Sequence, residues 1–353
     1  MKNNNYNNLE KDIRAMMDKL LKAVPFIRLE TTQEERISDY HRADLIFNIR
    51  GETGLTQLIV EVKSQGEPRI IRAAIQQLKE YSRQYPNAYG VVGAPFITKD
   101  TAEICKENGI GYIDTASNCF LNFDRVYIER TNYPNPIIEK RTLRSIFSKK
   151  ASRIIRVMLC NPRKIWQVQK MAREANVSIG LAYKVKERLF DLEHAQKDRR
   201  GIILLRPQRL LDEWRTKYTF RKNKMYDFFS IKTVKEIERD IADYCLKRKI
   251  NYAFTLFSGA AFVAPYTKYT RGFVYIKNDP TEIMKSLDLK TVDSGANLTI
   301  LEPYDEGIFY ASQIIQNINI VSDVQLYLDL VGYKGRGEDA AQFLLEQKLK
   351  PQW

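Results

Sequence analysis

Two short apolar segments, Leu45–Ile49 and Leu58–Val62, flank the pentapeptide Arg50-Gly51-Glu52-Thr53-Gly54. Each is too short for an ordinary helix, and two glycines within five residues favour a turn, so the pattern predicts an antiparallel β-hairpin. In a strand, Glu61 and Lys63 leave the same face because they lie two residues apart. Val60 and Val62 leave the opposite face, toward a core. Asp44 stands at the mouth of the first strand, and the return of the second brings Glu61 near it across the ladder. Two neighbouring carboxylates favour a divalent cation between them, and a hard ion such as Mg²⁺ or Mn²⁺ takes oxygen ligands. An ion there would activate water and neutralise charge on an attacked phosphorus, with Lys63 stabilising the transition state or orienting the water.

The surroundings of the hairpin read as alternating helices and strands. Residues 9–24 carry Ile13, Met16, Met17, Leu20, Leu21 and Val24 at helical spacing, and Pro25 closes that segment. Downstream, Ile70–Tyr85 repeats apolar residues at 71, 74, 75, 78 and 81, Ala88–Gly93 reads as a buried strand, and Thr98–Asn108 as a helix stopped by Gly109. Strands at Ile110–Ile113 and Phe120–Phe123 complete an αββαβαβ string, which predicts a mixed sheet flanked by helices in an α/β domain. The prolines of Tyr133-Pro134-Asn135-Pro136 mark a linker. The expected organisation is therefore an α/β domain over residues 1–132, a second domain over 140–220, and an α+β domain over 221–353.

Charge is concentrated in the middle of the chain. The net charge is +14, yet residues 140–226 hold 24 Lys and Arg against 7 Asp and Glu, a balance of +17, while the remaining residues sum to −3. A localised basic surface is the electrostatic footprint of a nucleic-acid binder. The sequence from Ser152 explains how that surface would be presented. Helices are expected at 152–160 and 165–174, and a turn at Ala175-Asn176-Val177 leads to a third helix with Ser178 as N-cap. Val177, Leu181, Val185 and Leu189 recur every four residues and are expected to pack inward, leaving Ser178, Tyr183, Lys184, Glu187 and Arg188 outside. This is a helix-turn-helix pattern whose second helix would enter the major groove. Lys197, Arg199 and Arg200 precede Gly201 and the strand Ile202–Leu205, as in a basic wing that contacts phosphates. Tyr266, Lys268, Tyr269 and Arg271 offer further stacking and charge.

Other classes are disfavoured. Cys105, Cys119, Cys160 and Cys245 are widely spaced without a CxxC pair, which argues against a disulfide framework or a zinc finger. With only His41 and His194, a histidine-based metal site is poorly supplied. No apolar run reaches 18 residues and no secretory h-region opens the chain, so a cytoplasmic protein without membrane spans is expected.

The order Asp44, then Glu61-Val62-Lys63, then Gln77-Leu78-Lys79-Glu80-Tyr81 on a helix resembles the D, (D/E)xK and QxxxY motifs of PD-(D/E)xK (restriction-endonuclease-like) nucleases. The resemblance implies that Asp44 and Glu61 bind metal, Lys63 serves catalysis, and Gln77 supports the site or contacts DNA. Ala43 stands where proline is frequent. Members often add an acid from the first helix, for which Glu10 is the candidate and Asp12 the substitute. From VSIGLAYKVKERL through RPQRLLDEW the chain resembles the winged helix of AbiEi-type antitoxins, transcriptional regulators of type IV toxin-antitoxin systems. The segments SGAAFVAPY, SGANLTILEPYDEGIFY and VSDVQLYLDLVGYKGRGEDAAQFLLEQ extend that likeness over roughly 150–350. That C-terminal domain is reminiscent of a nucleotidyltransferase fold, but the strand Gly272–Tyr275 after Ser258-Gly259 has no paired acids. It is expected to be degenerate, with Asp305-Glu306 in a turn.

Together these readings imply a DNA-binding, Mg²⁺- or Mn²⁺-dependent endonuclease in restriction or anti-phage defence, acting as a homodimer. The alternative is a non-catalytic DNA-binding regulator resembling an AbiEi-type antitoxin. A toxin or methyltransferase encoded nearby would be the corresponding partner.

Overall fold

The computed structural model describes residues 2–33, 36–38, 41–52, 54–85, 87–135, 145–277 and 279–353. The chain divides into two compact units, one of residues 1–141 with 190–193 and the other of 142–189 with 194–353. No helix among the described residues is long and apolar enough to cross a membrane.

The first unit runs α1 (Lys2–Lys22), β1 (Arg28–Gln33), β2 (Arg36–Ser38), β3 (His41–Arg42), β4 (Leu45–Gly51), β5 (Gly54–Val62), α2 (Pro68–Gln84), β6 (Ala88–Ala94), α3 (Lys99–Glu107), β7 (Gly111–Asp114), β8 (Cys119–Phe123) and β9 (Val126–Arg130). Its described residues include a seven-stranded mixed sheet in the order β1-β4-β5-β6-β7-β8-β9. The predicted hairpin is β4–β5, antiparallel with Leu45 opposite Val60 and Gly51 opposite Gly54. The β5–β6 and β6–β7 pairs are parallel. The edge strands β1 and β9 were not expected from the sequence. β1 is mostly polar, and β9 offers only the three-residue apolar run Val126-Tyr127-Ile128, too short to mark a strand by itself.

Helices cover both faces of this sheet. Ile13, Met17 and Leu21 of α1 pack with Leu58, Val60 and Val62 of β5 in one apolar cluster. Ile71, Ile75, Leu78 and Tyr81 of α2 pack with Ile46, Ile59 and Val92 in another, which also takes Ala102 and Cys105 of α3. Alternation along β5 therefore sends Glu61 out of the Ile59 face, beneath α2. Thr98 caps α3 by accepting from Thr101 N–H, and Gly109 leaves that helix with φ near +69°. The prolines at 134 and 136 were read as a linker, and the stretch 136–144 lies outside the described residues.

The second unit begins with α4 (Ala151–Leu159), α5 (Val168–Glu174), α6 (Ile179–Asp191, of which 190 and 191 are assigned to the first unit), the hairpin β10 (Ala195–Asp198) and β11 (Gly201–Leu204), and α7 (Pro207–Lys217). Trp166 bridges to Ile202, adding a third partner to the hairpin. It continues with β12 (Lys224–Phe229), α8 (Val234–Arg248), β13 (Tyr252–Phe254), α9 (Leu256–Val263), β14 (Gly272–Ile276), α10 (Thr281–Ser286), β15 (Lys290–Thr291), β16 (Leu298–Glu302), β17 (Gln313–Ile315), β18 (Ile318–Ile320), α11 (Asp323–Val331) and α12 (Arg336–Leu344). The described strands of this part form a sheet in the order β15-β12-β16-β14-β13-β18-β17.

Polar groups lock α4 onto the later elements of this unit. Arg156, 1% exposed, donates to Gln325 Oε1 at 2.6 Å, and Gln325 donates to Asp329 Oδ1 at 2.9 Å. Asp329 also accepts from Tyr218 (2.5 Å), Tyr275 (3.1 Å) and Thr255 (2.5 Å). Arg153 holds Asp305 through Nε and Nη2, each at 2.8 Å. The Asp305-Glu306 turn thus has a further job: Asp305 is buried in an ion pair and caps a short 3₁₀ turn through Gly307 N–H.

Candidate functional site

Asp44 immediately precedes β4, and the register that pairs Leu45 with Val60 sets Asp44 opposite Glu61 when carried one step further. Asp44 Oδ2 accepts from Val62 N–H at 2.7 Å, which pins its carboxylate to the end of β5. Lys63 donates from Nζ to Glu61 Oε1 at 2.5 Å, and its own N–H bonds to Gly93 of β6 at 2.8 Å. Asp44, Glu61 and Lys63 are thus brought together at the C-terminal end of β5.

Glu61 lies in a covered part of the sheet. Its face is covered by α2 and belongs to a core as much as the Val60–Val62 face does, and Glu61 is only 4% exposed. Burial is the main reason its pKa is raised; Lys63 pulls it back down, while the negative charge of Asp44 raises it further. Gln77 of α2 donates to Tyr81 Oη at 2.6 Å, and its amide also favours the charged form of Glu61. Even so, Glu61 Oε2 is buried with no hydrogen-bond partner of ordinary geometry. An anionic oxygen in that position is costly unless a positive charge meets it.

That orphan oxygen, beside a second carboxylate, fits a hard divalent cation. Asp44 and Glu61 are the residues that would hold it, with the remaining positions left to water or a substrate oxygen, as Mg²⁺ prefers. Among the described residues, no cluster of three or more His, Cys, Asp or Glu side chains is assembled to hold a metal. Glu10, the expected third acid, is half-buried on α1, and α1 packs on the Val60–Val62 face of the sheet rather than the Glu61 face. Asp12 is exposed on the same helix. Tyr81, quoted in the motif but given no role from the sequence, holds Gln77 in place; its spacing of four from Gln77 on a helix was the available signal.

A second surface is basic. Ser178 accepts from Leu181 N–H at 3.2 Å and so caps α6 as expected. The buried stripe of α6 is Ala182, Val185 and Leu189, and Leu181 is only half-buried. Val185 and Leu189 are buried as predicted, while Ala182 takes the place expected of Leu181, because a helical face repeats at three and four residues alternately. Ser178, Tyr183 and Lys184 are exposed, whereas Glu187 and Arg188 are half-buried. Lys197, Arg199 and Arg200 are exposed at the β10–β11 hairpin, with Arg199 and Arg200 forming its two-residue tip between the paired Asp198 and Gly201. Asp198 fixes the tip by accepting from Arg200 N–H at 2.9 Å. Gly201 is required there, since a Cβ would stand 2.3 Å from the Trp166 carbonyl oxygen. Tyr269, by contrast, points its hydroxyl to Glu238 (2.9 Å) and Arg271 bonds Thr299 (2.7 Å), which leaves Tyr266 and Lys268 as the more available of the four.

Residues 203–350 match the family model described as transcriptional regulator, AbiEi antitoxin, type IV TA system, the resemblance expected for this part of the chain. No curated protein matches the chain at a significant level. Among solved structures, the chain is similar to a repair endonuclease from Pyrococcus abyssi, with 16% identity over 29% of this chain and 46% of that one and a TM-score of 0.22. It is also similar to EndoMS in its apo form (15% identity, 28% and 44% coverage, TM-score 0.21) and to an EndoMS-dsDNA2 complex (16%, 28% and 42%, 0.21). The chain spans less than half the length of each of these proteins.

Proposed function

We propose that this chain is a DNA-binding, divalent-metal-dependent endonuclease, with Asp44, Glu61 and Lys63 as its active cluster. The observation that carries this reading is the buried Oε2 of Glu61, which has no hydrogen-bond partner of ordinary geometry and lies beside Asp44 on the carboxylate already held by Lys63. Mg²⁺ or Mn²⁺ held by Asp44 and Glu61 would supply the Lewis acidity that activates water and neutralises charge on a phosphodiester. Lys63 is 24% exposed, so its ammonium can turn from Glu61 toward a phosphate oxygen or the attacking water. Gln77, braced by Tyr81, holds the Glu61 carboxylate in place.

The basic unit supplies the duplex-binding element of this reading. The α5–turn–α6 pair with the β10–β11 hairpin is arranged as a winged helix-turn-helix, α6 facing the major groove and Arg199 and Arg200 reaching phosphates. Cutting both strands takes two active clusters, which a homodimer provides. Restriction or anti-phage defence suits such an enzyme.

The family match over residues 203–350 favours a second reading, a non-catalytic regulator in which the acidic cluster sits idle. Incubation of supercoiled plasmid with the full chain and Mg²⁺ or Mn²⁺ separates the two. Nicking or linearisation that disappears in Asp44→Ala and Lys63→Ala supports the enzyme. Absence of cutting on several DNAs, or variants that cut as well as the parent, leaves the regulator.

A further inference from the structure

The face that α6 turns to solvent is apolar at its centre and basic at its margin. Ile179 is 57% exposed and Tyr183 is 53% exposed, one helical turn apart and on the flank away from the Ala182–Val185–Leu189 stripe. Between them Gly180 has open space where a Cβ would stand. Isoleucine left 57% exposed at the first turn of a helix gains less from packing than a buried one, and glycine inside a helix lowers its stability. The sequence thus keeps two locally unfavourable choices together on one face. The charges around them are mostly basic: exposed Arg173 stands beside Glu174 at the end of α5, Lys184 follows Tyr183, and Lys186 lies 3.9 Å from the Tyr183 ring while paired with Glu187 at 2.6 Å. Lys197, Arg199 and Arg200 add to this on the hairpin.

An occupant of this face must be anionic at its edge and offer a small apolar group at its centre. The major groove of duplex DNA does both, since its phosphates rim the groove and thymine presents a C5-methyl on the base edge. We infer that Ile179 is a specificity-determining residue that reads thymine methyl groups, with Gly180 allowing the helix backbone to approach the base edges. This rests on the DNA-binding reading of α4–β11 and goes beyond it by assigning A·T pairs to the position facing the start of α6. Ser178 is committed to the cap through Leu181 N–H, which leaves Ile179 as the first outward-facing side chain of the helix.

The test is selection from a random 20-base-pair duplex pool with the full-length protein, followed by anisotropy titration of the enriched site at fixed salt. Each thymine is then replaced in turn by deoxyuracil, which differs only by the missing methyl. The parent should weaken about fourfold at one or two positions, the value of one buried methyl-sized group. Ile179→Ser should bind the thymine site more weakly and lose the thymine–uracil difference at those positions. Because Ile179 is exposed, unchanged tryptophan fluorescence will show that this variant folds. Sequence-independent binding, or a thymine preference that survives in Ile179→Ser, overturns the inference while duplex binding itself stands. Failure to bind any duplex removes the parent reading with it, as would be the outcome if an acidic protein were the true occupant.

Discussion

Replacing Glu61 by Gln separates a catalytic carboxylate from a structural one, because the two roles predict opposite combinations of stability and activity. Gln has nearly the same volume, so no cavity forms beneath α2. The ionised Glu61 carboxylate is disfavoured in place by burial, and its Oε2 lacks a partner. Removing one member of a buried ion pair ordinarily costs about 3–5 kcal/mol because the other charge is stranded. Lys63 is not stranded, since its side chain is 24% exposed and can turn to water. Folding of the first unit should therefore be unchanged or improved by about 0–2 kcal/mol, within the range seen when buried charge is replaced by neutral groups. Plasmid nicking should fall at least about 100-fold, equivalent to about 2.7 kcal/mol of transition-state stabilisation. The two effects are read separately. Trp166, Trp214 and Trp353 are the chain's three tryptophans and all lie in the second unit, so the first is followed by amide exchange along β5.

The pH dependence carries a definite sign. The folded pKa of Glu61 lies above its unfolded value near about 4.3, so between the two the native state binds more protons and stability falls as pH rises. The contribution is fully present below the unfolded pKa and is lost as pH passes through the folded one. Glu61→Gln should lack that component. Asp114, another buried carboxylate of the same unit whose pKa is raised mainly by burial, titrates in both proteins and cancels in the difference. A variant that loses more than about 2 kcal/mol at β5 while nicking within threefold of the parent would refute the reasoning and make the Glu61–Lys63 pair a structural one.

Two further outcomes are expected. Alanine at both Arg199 and Arg200 should lower the slope of log affinity for duplex DNA against log salt by up to about 1.8, since each phosphate contact contributes about 0.9, with little effect on unfolding because both residues are exposed; an unchanged slope would mean that the hairpin tip does not touch phosphate. Asp329→Ala strands the donors of Tyr218, Tyr275, Thr255 and Gln325 and should cost about 3–5 kcal/mol, or roughly 6–20 °C in the melting of the second unit followed by tryptophan fluorescence. Asp329→Asn, which keeps one acceptor oxygen, should cost clearly less, and equal losses would argue against the network as the cause.

Much of the site is legible in the sequence because its residues are close along the chain and their geometry follows from local periodicity. Two-residue alternation put Glu61 and Lys63 on one face, the glycines of 51–54 returned the chain to bring Asp44 opposite Glu61, and helical spacing set Gln77 over Tyr81. The basic hairpin tip and the Ser178 cap were readable for the same reason. The sequence could not say which face of the sheet α1 would cover, because that depends on how remote elements pack rather than on any local period. Packing placed α1, the helix that carries Glu10, on the Val60–Val62 face. Packing likewise laid α2 over Glu61, so that its carboxylate is buried with an unsatisfied oxygen. Tertiary structure also selected the stripe of α6 that faces inward, exposing Ile179, and joined α4 to Asp329 through Gln325 across 169 and more positions of chain. Alternation and spacing name the residues of a site, while burial, which decides their charge and reactivity, belongs to the whole fold.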